Sequence, residues 1–227
     1  MSSLVALVVI GLVTSSDGWA QGERVELLLT GDEYHATDLP RDPAGPWWVL
    51  HRPTGTPILE DMQVVVTPMS ACSDAPDERS GRAVTVPRAG DPILLVRGSR
   101  KFLAGPVPTA FVDQDGSGER LRIQALWQDE PVIVERTADL PSGDQPGQYR
   151  VDLAIGDRHF QLHTDQWHGD GHWLVRWIGD LNRDGWPDVL LDASYKYSVH
   201  TTRLFLSHAS GQEIGFNQAA RFGRSAC

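Results

Sequence analysis

The sequence predicts an all-β protein with sandwich-like antiparallel sheets. Short apolar runs punctuated by Gly, Pro, Asn and Asp recur along the chain, whereas amphipathic helical periodicity is scarce. The runs include VELLLTGD, WWVLHRPTG, MQVVVTP, AVTVP and DPILLVRG. Apolar residues make up 41% of the 227 residues, and burying that much apolar surface can offset the entropy lost on folding.

The amino terminus predicts export. Residues 4–13 form an apolar run that is too short to cross a bilayer and that suits the core of a secretory signal. Gly18 and Ala20 supply the small residues of a cleavage site, so residues 1–20 are predicted to be a signal peptide and the mature chain to start near Gln21. No Lys or Arg precedes the run, and a buried amino-terminal strand is the alternative. Export predicts a secreted or periplasmic protein with no stable membrane span in the mature chain.

Residues 21–227 are predicted to form a single secreted β domain. About 200 residues are enough for one substantial core or for two small ones. A split near residue 97 into two small β modules is therefore the alternative.

The charge of the chain favours cations as small partners. The formal net charge is −10, which opposes binding to a phosphate backbone, and the sequence contains no basic groove or polybasic patch. Nucleic acid is therefore not expected as a partner.

The two cysteines of the chain are Cys72 and Cys227. In an oxidising compartment two lone cysteines pair, so export predicts an intramolecular disulfide between them. The chain-entropy model gives a loop of this length a stabilisation of roughly 4 to 5 kcal/mol as an upper expectation. Two unpaired thiols are the alternative.

The clearest local prediction is a β-hairpin in YRVDLAIGDRHFQLH, where Gly156-Asp157 forms a two-residue turn. Pairing across the turn sets Leu153 opposite Phe160 and predicts that both are buried. His159 and His163 then fall on the exposed face.

Four histidines at paired spacing, His159, His163, His168 and His172, raise the question of a zinc site. Residues four apart on a strand are separated by about 13 Å, which is too far to share one ion. A solvated strand face followed by a polar loop is the preferred interpretation.

Motifs for nucleophilic or phosphate chemistry are absent from the sequence: it has no serine nucleophile elbow, Walker loop, CxxC pair or glycine-rich dinucleotide fingerprint. Asp152, Asp165 and Asp170 are candidates for a catalytic acid–base pair with another carboxylate. Their separation in space defines such a pair, and sequence spacing does not give it.

The stretch GDLNRDGWPDVLLD contains a calcium pattern. Counted from Asp180, side-chain oxygens stand at positions one, three, five and nine, on Asp180, Asn182, Asp184 and Asp188, and position seven, Trp186, offers its backbone carbonyl. Gly185, at position six, suits the strained point of the turn. Position twelve is Leu191 instead of the bidentate Glu of an EF-hand, so a strand-loop-strand variant is predicted.

At these residues the sequence resembles the FG-GAP family, also called VCBS repeats, whose loops follow D-x-[DN]-x-D-G-x-x-D. The resemblance covers the carboxy-terminal half and implies calcium loops between strands, in a sandwich-like or partial propeller-like arrangement. A weaker second copy, FVDQDGSGERLRIQALW, places Asp113, Asp115 and Ser117 at positions one, three and five. Leu121 stands at its ninth position, so this copy lacks the last ligand.

The sequence therefore predicts a non-enzymatic, exported calcium-binding domain, in which calcium stabilises a loop or shapes a surface for a protein or glycan. The alternative is a secreted, glycan-directed hydrolase that uses a carboxylate pair. In that case four tryptophans would form a stacking platform, namely Trp47, Trp48, Trp167 and Trp173.

Overall fold

The computed structural model describes most of the chain after the amino terminus, namely residues 25–35, 37–69, 81–98, 102–113, 122–139, 147–167, 172–194, 199–210 and 213–225. Within these ranges the chain forms sixteen β-strands and no helix. The predicted all-β class is confirmed. A search of the same residues for an apolar helix long enough to span a membrane finds none.

The described strands, in chain order, are β1 (Val25–Leu28), β2 (Gly31–His35), β3 (Gly45–Arg52), β4 (Ile58–Met69), β5 (Gly81–Thr85), β6 (Asp91–Gly98), β7 (Gly105–Pro106), β8 (Thr109–Val112), β9 (Arg122–Trp127), β10 (Glu130–Asp139), β11 (Gly147–Ile155), β12 (Arg158–Trp167), β13 (His172–Gly179), β14 (Asp188–Ser194), β15 (Val199–Ser210) and β16 (Glu213–Ser225).

These strands form three antiparallel sheets within the described part of the chain. The amino-terminal sheet has the order β1-β6-β3-β4-β5-β2, with β7 paired to β4. Its long strand β4 pairs with β3 in its first half and with β5 in its second half. The four-stranded sheet has the order β12-β11-β10-β9, and the central sheet has the order β16-β15-β14-β13-β8.

The central sheet is buried on both faces. Its cross-strand pair Leu190–Leu204 packs into one hydrophobic cluster with the amino-terminal sheet, and the next pair, Val189–Phe205, packs into a second cluster with the four-stranded sheet. All seven residues of β14 are buried. A strand covered on both faces needs a continuous apolar run, which is what the sequence VLL supplies here. The first cluster includes residues from both sides of residue 97, and the division predicted there as an alternative stays a prediction.

The predicted hairpin forms with its turn at Gly156-Asp157. Ile155 pairs with Arg158 and Leu153 pairs with Phe160. Leu153 is fully buried and Phe160 is half-buried against the second cluster. Gly156 has a φ of 54°, which is the left-handed conformation that this turn type requires.

The prediction that His163 is exposed is wrong. A β-bulge between Val151 and Asp152 shifts the register, so Val151 pairs with His163 and not with Leu162. The extra residue turns the His163 side chain inward, where only 14% of it is exposed. His159, which lies before the bulge, is exposed as predicted.

Several predictions lie outside the described residues. They are the signal peptide at residues 1–20, the disulfide partners Cys72 and Cys227, and His168 with Asp170. They stay predictions.

Candidate metal centre

The acidic loop lies between two strands of the central sheet, as the sequence predicts. It follows β13 and ends where β14 begins, and the pairing of Gly179 with Asp188 closes it. Arg183 and Gly185 have positive φ values of 63° and 90°. A Cβ at Gly185 would meet no atom within 4 Å, so the backbone conformation, not crowding, is what favours glycine there.

The first half of the loop directs its polar side chains inward, where they accept backbone hydrogen bonds. The Asp180 carboxylate accepts the Asp184 N–H at 3.1 Å and the Gly185 N–H at 3.0 Å. The Asn182 amide oxygen accepts the Asp184 N–H at 2.9 Å, and Asp184 Oδ1 accepts the Trp186 N–H at 2.9 Å. These bonds account for the alternation of polar residues, because each one closes a short turn.

Asp188, the first residue of β14, is a fully buried carboxylate. Its Oδ2 accepts the Leu181 N–H at 2.7 Å, and its Oδ1 accepts the Ser207 N–H at 2.7 Å. Burial raises the pKa of Asp188 to about 8, although the hydrogen bonds from Ser207 and Leu181 act in the opposite direction. Burial also raises the pKa of Asp180.

Ser207 is the residue of this site that sequence reasoning missed. Its Oγ lies 3.0 and 3.1 Å from the two carboxylate oxygens of Asp184, 2.9 Å from Asp188 Oδ1 and 3.3 Å from the Trp186 carbonyl oxygen. A hydroxyl carries one proton, so it can satisfy only one of these four acceptors at a time. Oxygens from loop positions five, seven and nine therefore converge on one hydroxyl, although Asp184 and Asp188 also accept backbone N–H groups.

The sequence did contain a signal for Ser207. In β15 the alternate residues Leu204 and Leu206 face the first cluster, and Phe205 faces the second. Ser207 continues the Phe205 face and is fully buried. A lone serine at an inward position of an apolar strand indicates a polar partner, because a buried hydroxyl without one is costly.

The loop acids have no cationic partner among the described residues. None of the ion pairs found there includes Asp180, Asp184 or Asp188. The nearby Arg183 donates to the Gly105 carbonyl oxygen at 3.3 Å, and Arg158 lies over the Trp186 ring, 5.0 Å from its centroid. Two neighbouring carboxylates in a buried setting are electrostatically unfavourable without a positive charge.

The donor set fits a hard cation only if it includes uncharged oxygens. Within the described residues, no three or more His, Cys, Asp or Glu side chains lie close enough together to hold a metal ion. Calcium also takes amide and backbone carbonyl oxygens, and the loop offers both, from Asn182 and Trp186. The structure brings Asp184, Asp188 and the Trp186 carbonyl together around Ser207. The oxygens of all four loop side chains also accept backbone N–H groups.

The loop also contacts both outer sheets. The Trp127 indole N–H of β9 donates to the Gly185 carbonyl oxygen at 3.1 Å. Arg183 reaches Gly105 of β7 on the other side. The turn before β14 is thus the point at which all three sheets are joined by polar contacts.

The weaker acidic loop is described only at its first residue. Asp113 follows β8 and its N–H donates to the Arg176 carbonyl oxygen at 2.9 Å, while Asp180 donates in the same way to Pro108 at 2.9 Å. Arg176 and Asp180 are four residues apart along the chain, or about 13 Å of extended strand, so the two loops leave the β8–β13 pair at opposite ends. Asp115 and Ser117 lie outside the described residues.

Two of the tryptophans suggested as a sugar-stacking platform, Trp47 and Trp173, are buried in the core. Trp47 and Trp173 are each 1% exposed and belong to different hydrophobic clusters. Trp48 packs partly buried against the first cluster, and the Trp167 side chain is not among those described. A platform needs exposed ring faces on a common surface, which the buried rings of Trp47 and Trp173 do not offer.

A surface cleft beside β4 is lined by two acids, Glu60 and Asp61. They are consecutive on a strand, so their side chains point to opposite faces. Glu60 bonds to the buried His51 at 3.0 Å, and the other ring nitrogen of His51 accepts the Gly90 N–H at 3.0 Å. Both nitrogens of this imidazole are therefore engaged within the fold, which leaves no free lone pair for base catalysis.

Comparison with known proteins yields no relative: no family model matches the chain, and neither the curated proteins nor the solved structures contain a significant match.

Proposed function

We propose that this chain is an exported, non-enzymatic β protein whose 180–188 loop binds calcium. The observation that carries the proposal is the convergence of four oxygens, from Asp184, Trp186 and Asp188, on the single hydroxyl of Ser207. A hard divalent cation would give these oxygens the positive charge that the surrounding protein lacks.

The ligands of the proposed site are all oxygens. Asp184 and Asp188 supply carboxylates, Trp186 supplies its carbonyl, and Asp180 and Asn182 complete the set. Calcium accepts six to eight such ligands in flexible geometry. The loop already has the inward alternation and the positive-φ glycine that this kind of coordination requires. The resemblance of its spacing to FG-GAP loops supports the same ion.

The proposed role of calcium is to fix the junction of the three sheets. The loop precedes the fully buried strand β14 and contacts both outer sheets through Trp127 and Arg183. A dissociation constant near 10 to 100 μM would let millimolar calcium stabilise the fold by roughly 1.4 to 2.7 kcal/mol. The exposed part of the loop would also present a fixed surface to a protein or glycan ligand.

Export and the disulfide belong to the same proposal. Extracellular calcium is abundant enough to fill a site of this affinity, and an oxidising compartment favours a bridge between Cys72 and Cys227. Intact mass of protein purified from such a compartment should show the loss of two hydrogens, and two alkylatable thiols would contradict the bridge.

Calorimetric titration of calcium into the mature chain, residues 21–227, tests the proposed function. Saturable binding near one ion per chain is expected, with a higher melting temperature in calcium than in chelator and a smaller effect of magnesium, which demands stricter octahedral geometry. Identical melting in calcium and in chelator, with no heat of binding, would show that the acids serve only the turn.

A further inference from the structure

A second site lies between the amino-terminal sheet and the central sheet, away from the calcium loop. It is a cavity of about 130 Å³. Its walls come from the ends of β1 and β2 and the start of β6 on one side, and from β13 to β16 on the other. Its charged and histidine side chains are Arg176, Asp192, His200 and Arg224, and Thr30, Tyr34 and Thr202 add hydroxyl groups.

A β-bulge in β13 places Arg176 at this cavity. The pairing of β13 with β14 shifts register between Val175 and Trp177, and the intervening Arg176 contacts the buried Asp192, with Nε 2.5 Å from Oδ2. Bulges re-aim a side chain relative to the regular strand alternation and are frequent beside functional sites.

Both carboxylate oxygens of Asp192 accept hydrogen bonds from protein side chains. Its Oδ2 accepts from Arg176, and its Oδ1 accepts from the Thr202 hydroxyl. One carboxylate therefore balances one guanidinium. Arg176 contacts Asp192 through Nε, and its side chain also lines the cavity.

Arg224 brings a second guanidinium to the same cavity. It lies on β16 opposite His200 of β15, and its guanidinium carbon is 5.9 Å from the centroid of the Tyr34 ring. Among the described residues Arg224 takes part in no ion pair. The cavity thus holds two guanidinium charges and one carboxylate, which leaves one positive charge without a carboxylate to balance it.

The size and charge of the cavity define its ligand class. A water molecule occupies about 30 Å³ of liquid, so the space holds a few waters or one tetrahedral oxyanion. Guanidinium groups recognise oxyanions through paired N–H donors. We propose that the cavity binds a small oxyanion of the size of sulfate or phosphate between Arg176 and Arg224.

The protein as a whole would not attract such an ion, since its formal net charge is −10. Binding must therefore come from the two arginines themselves and must depend on each of them. Because the Arg176 side chain is 39% exposed, the cavity is open to solvent and the ion can exchange.

The test is a titration of sulfate and of phosphate, each up to about 10 mM, into the mature chain at constant ionic strength set with chloride. Chelator is present throughout, so calcium phosphate and the 180–188 loop do not contribute. Saturable binding and a higher melting temperature than in chloride are expected. Arg224→Gln should weaken binding by about tenfold or more, and Arg122→Gln, at an exposed position of β9, should bind like the unmodified chain.

Arg176→Gln leaves Asp192 buried without its partner and is the variant at risk of misfolding. The test therefore depends on Arg224→Gln, whose fold is checked by circular dichroism. Absence of saturable binding, or equal binding by Arg224→Gln and the unmodified chain, would overturn the proposal. Methyl phosphate is titrated in parallel. If it binds more weakly than phosphate, the ligand is the free ion; if it binds equally well or more tightly, the ligand is the head group of a phosphate ester. Both outcomes support the site.

Discussion

At the scale of single residues, Ser207 shows how a site gains a member from a distant strand. It stands 19 residues beyond Asp188, yet its N–H and its hydroxyl both contact that carboxylate. The same hydroxyl reaches both oxygens of Asp184. The acidic loop is therefore held by β15 as well as by its own turn, and the two contributions can be separated by substitution.

Asp184→Ala should abolish most calcium binding and remove the calcium-dependent stabilisation of roughly 1.4 to 2.7 kcal/mol. In chelator the effect should be small, because the lost turn bond to Trp186 is offset by relief of repulsion with Asp188. Thermal melting in calcium and in chelator checks both statements. Asp139→Ala, at an exposed position of β10, is the control and should behave alike in the two conditions.

Two results would contradict this prediction. An equal loss of stability with and without calcium would mean that Asp184 serves the turn and not an ion. The variant Asp115→Ala should have a far smaller effect, since Leu121 stands where its loop needs a ninth-position acid. Loss of calcium binding in Asp115→Ala alone would show that the two loops are ranked in the wrong order.

Ser207→Ala should cost about 1 kcal/mol in chelator, because it removes a donor shared by two carboxylates. In calcium the cost should shrink, since the ion then satisfies the same oxygens. The matched control is Ser194→Ala, which removes a buried hydroxyl that accepts the Thr201 N–H at 2.8 Å. Denaturant unfolding of both variants, in calcium and in chelator, measures the free energies of unfolding. If Ser207→Ala costs as much in calcium as in chelator, Ser207 does not share its oxygen partners with an ion.

At the scale of elements, β-bulges decide which polar side chains turn inward. The register shifts at Val151/Asp152 in the hairpin, at Val175/Trp177 between β13 and β14, and at Leu204/Phe205 between β15 and β16. An extra residue in one strand moves every later side chain to the other face. The first bulge buries His163 and the second places Arg176 beside Asp192.

The largely buried His163 lies among titratable groups from its own strand, from β11 and from the central sheet. Its own strand supplies Asp165 at 3.6 Å, β11 supplies the Tyr149 ring at 5.8 Å between centroids, and Arg203 and Arg221 face it from the central sheet. Burial, followed by the positive charge of Arg203, lowers the pKa of His163 to about 4, against the opposing effect of Asp165. The folded protein therefore holds this imidazole neutral.

His163 should make the fold less stable as the pH falls from about 6.5 to about 4. In this window the unfolded chain binds a proton at His163 and the folded chain does not, so protonation favours unfolding. His163→Gln should flatten that part of the curve of melting temperature against pH, measured in chelator. His159→Gln, an exposed position on the same strand, should leave the curve unchanged, and an unchanged slope in His163→Gln would contradict the prediction.

At the scale of the whole molecule, the central sheet joins two hydrophobic clusters into one structure. Neighbouring residues of β14 alternate between them: Leu190 packs in the first cluster and Leu191 in the second. Because β14 belongs to both clusters, loss of either cluster exposes one face of the strand against which the other cluster packs.

Leu190→Ala and Leu191→Ala should each destabilise the protein by about 2 to 5 kcal/mol and should lower the same unfolding transition. Both side chains are fully buried, so the cavity and transfer costs are comparable. Calorimetric melting shows whether one or two transitions are present. Two transitions, with each variant moving a different one, would mean that the two packed layers unfold separately.

The sequence by itself determined the features that depend on neighbours along the chain. Alternating apolar residues and turn-forming dipeptides predicted the all-β class and the hairpin at Gly156-Asp157, because strand direction and turn conformation are local properties. The acidic loop was predictable for the same reason: its inward oxygens and Gly185 stand within nine residues.

Only the tertiary structure decided the features that depend on register and stacking. A bulge of one residue reverses the face of His163, and nothing in the local pattern marks where it falls. Ser207 joins the acidic loop, and Arg224 joins Arg176 at a cavity, because three sheets stack in a particular order. That order is set by how the apolar faces pack over long chain separations, and spacing along the sequence does not encode it.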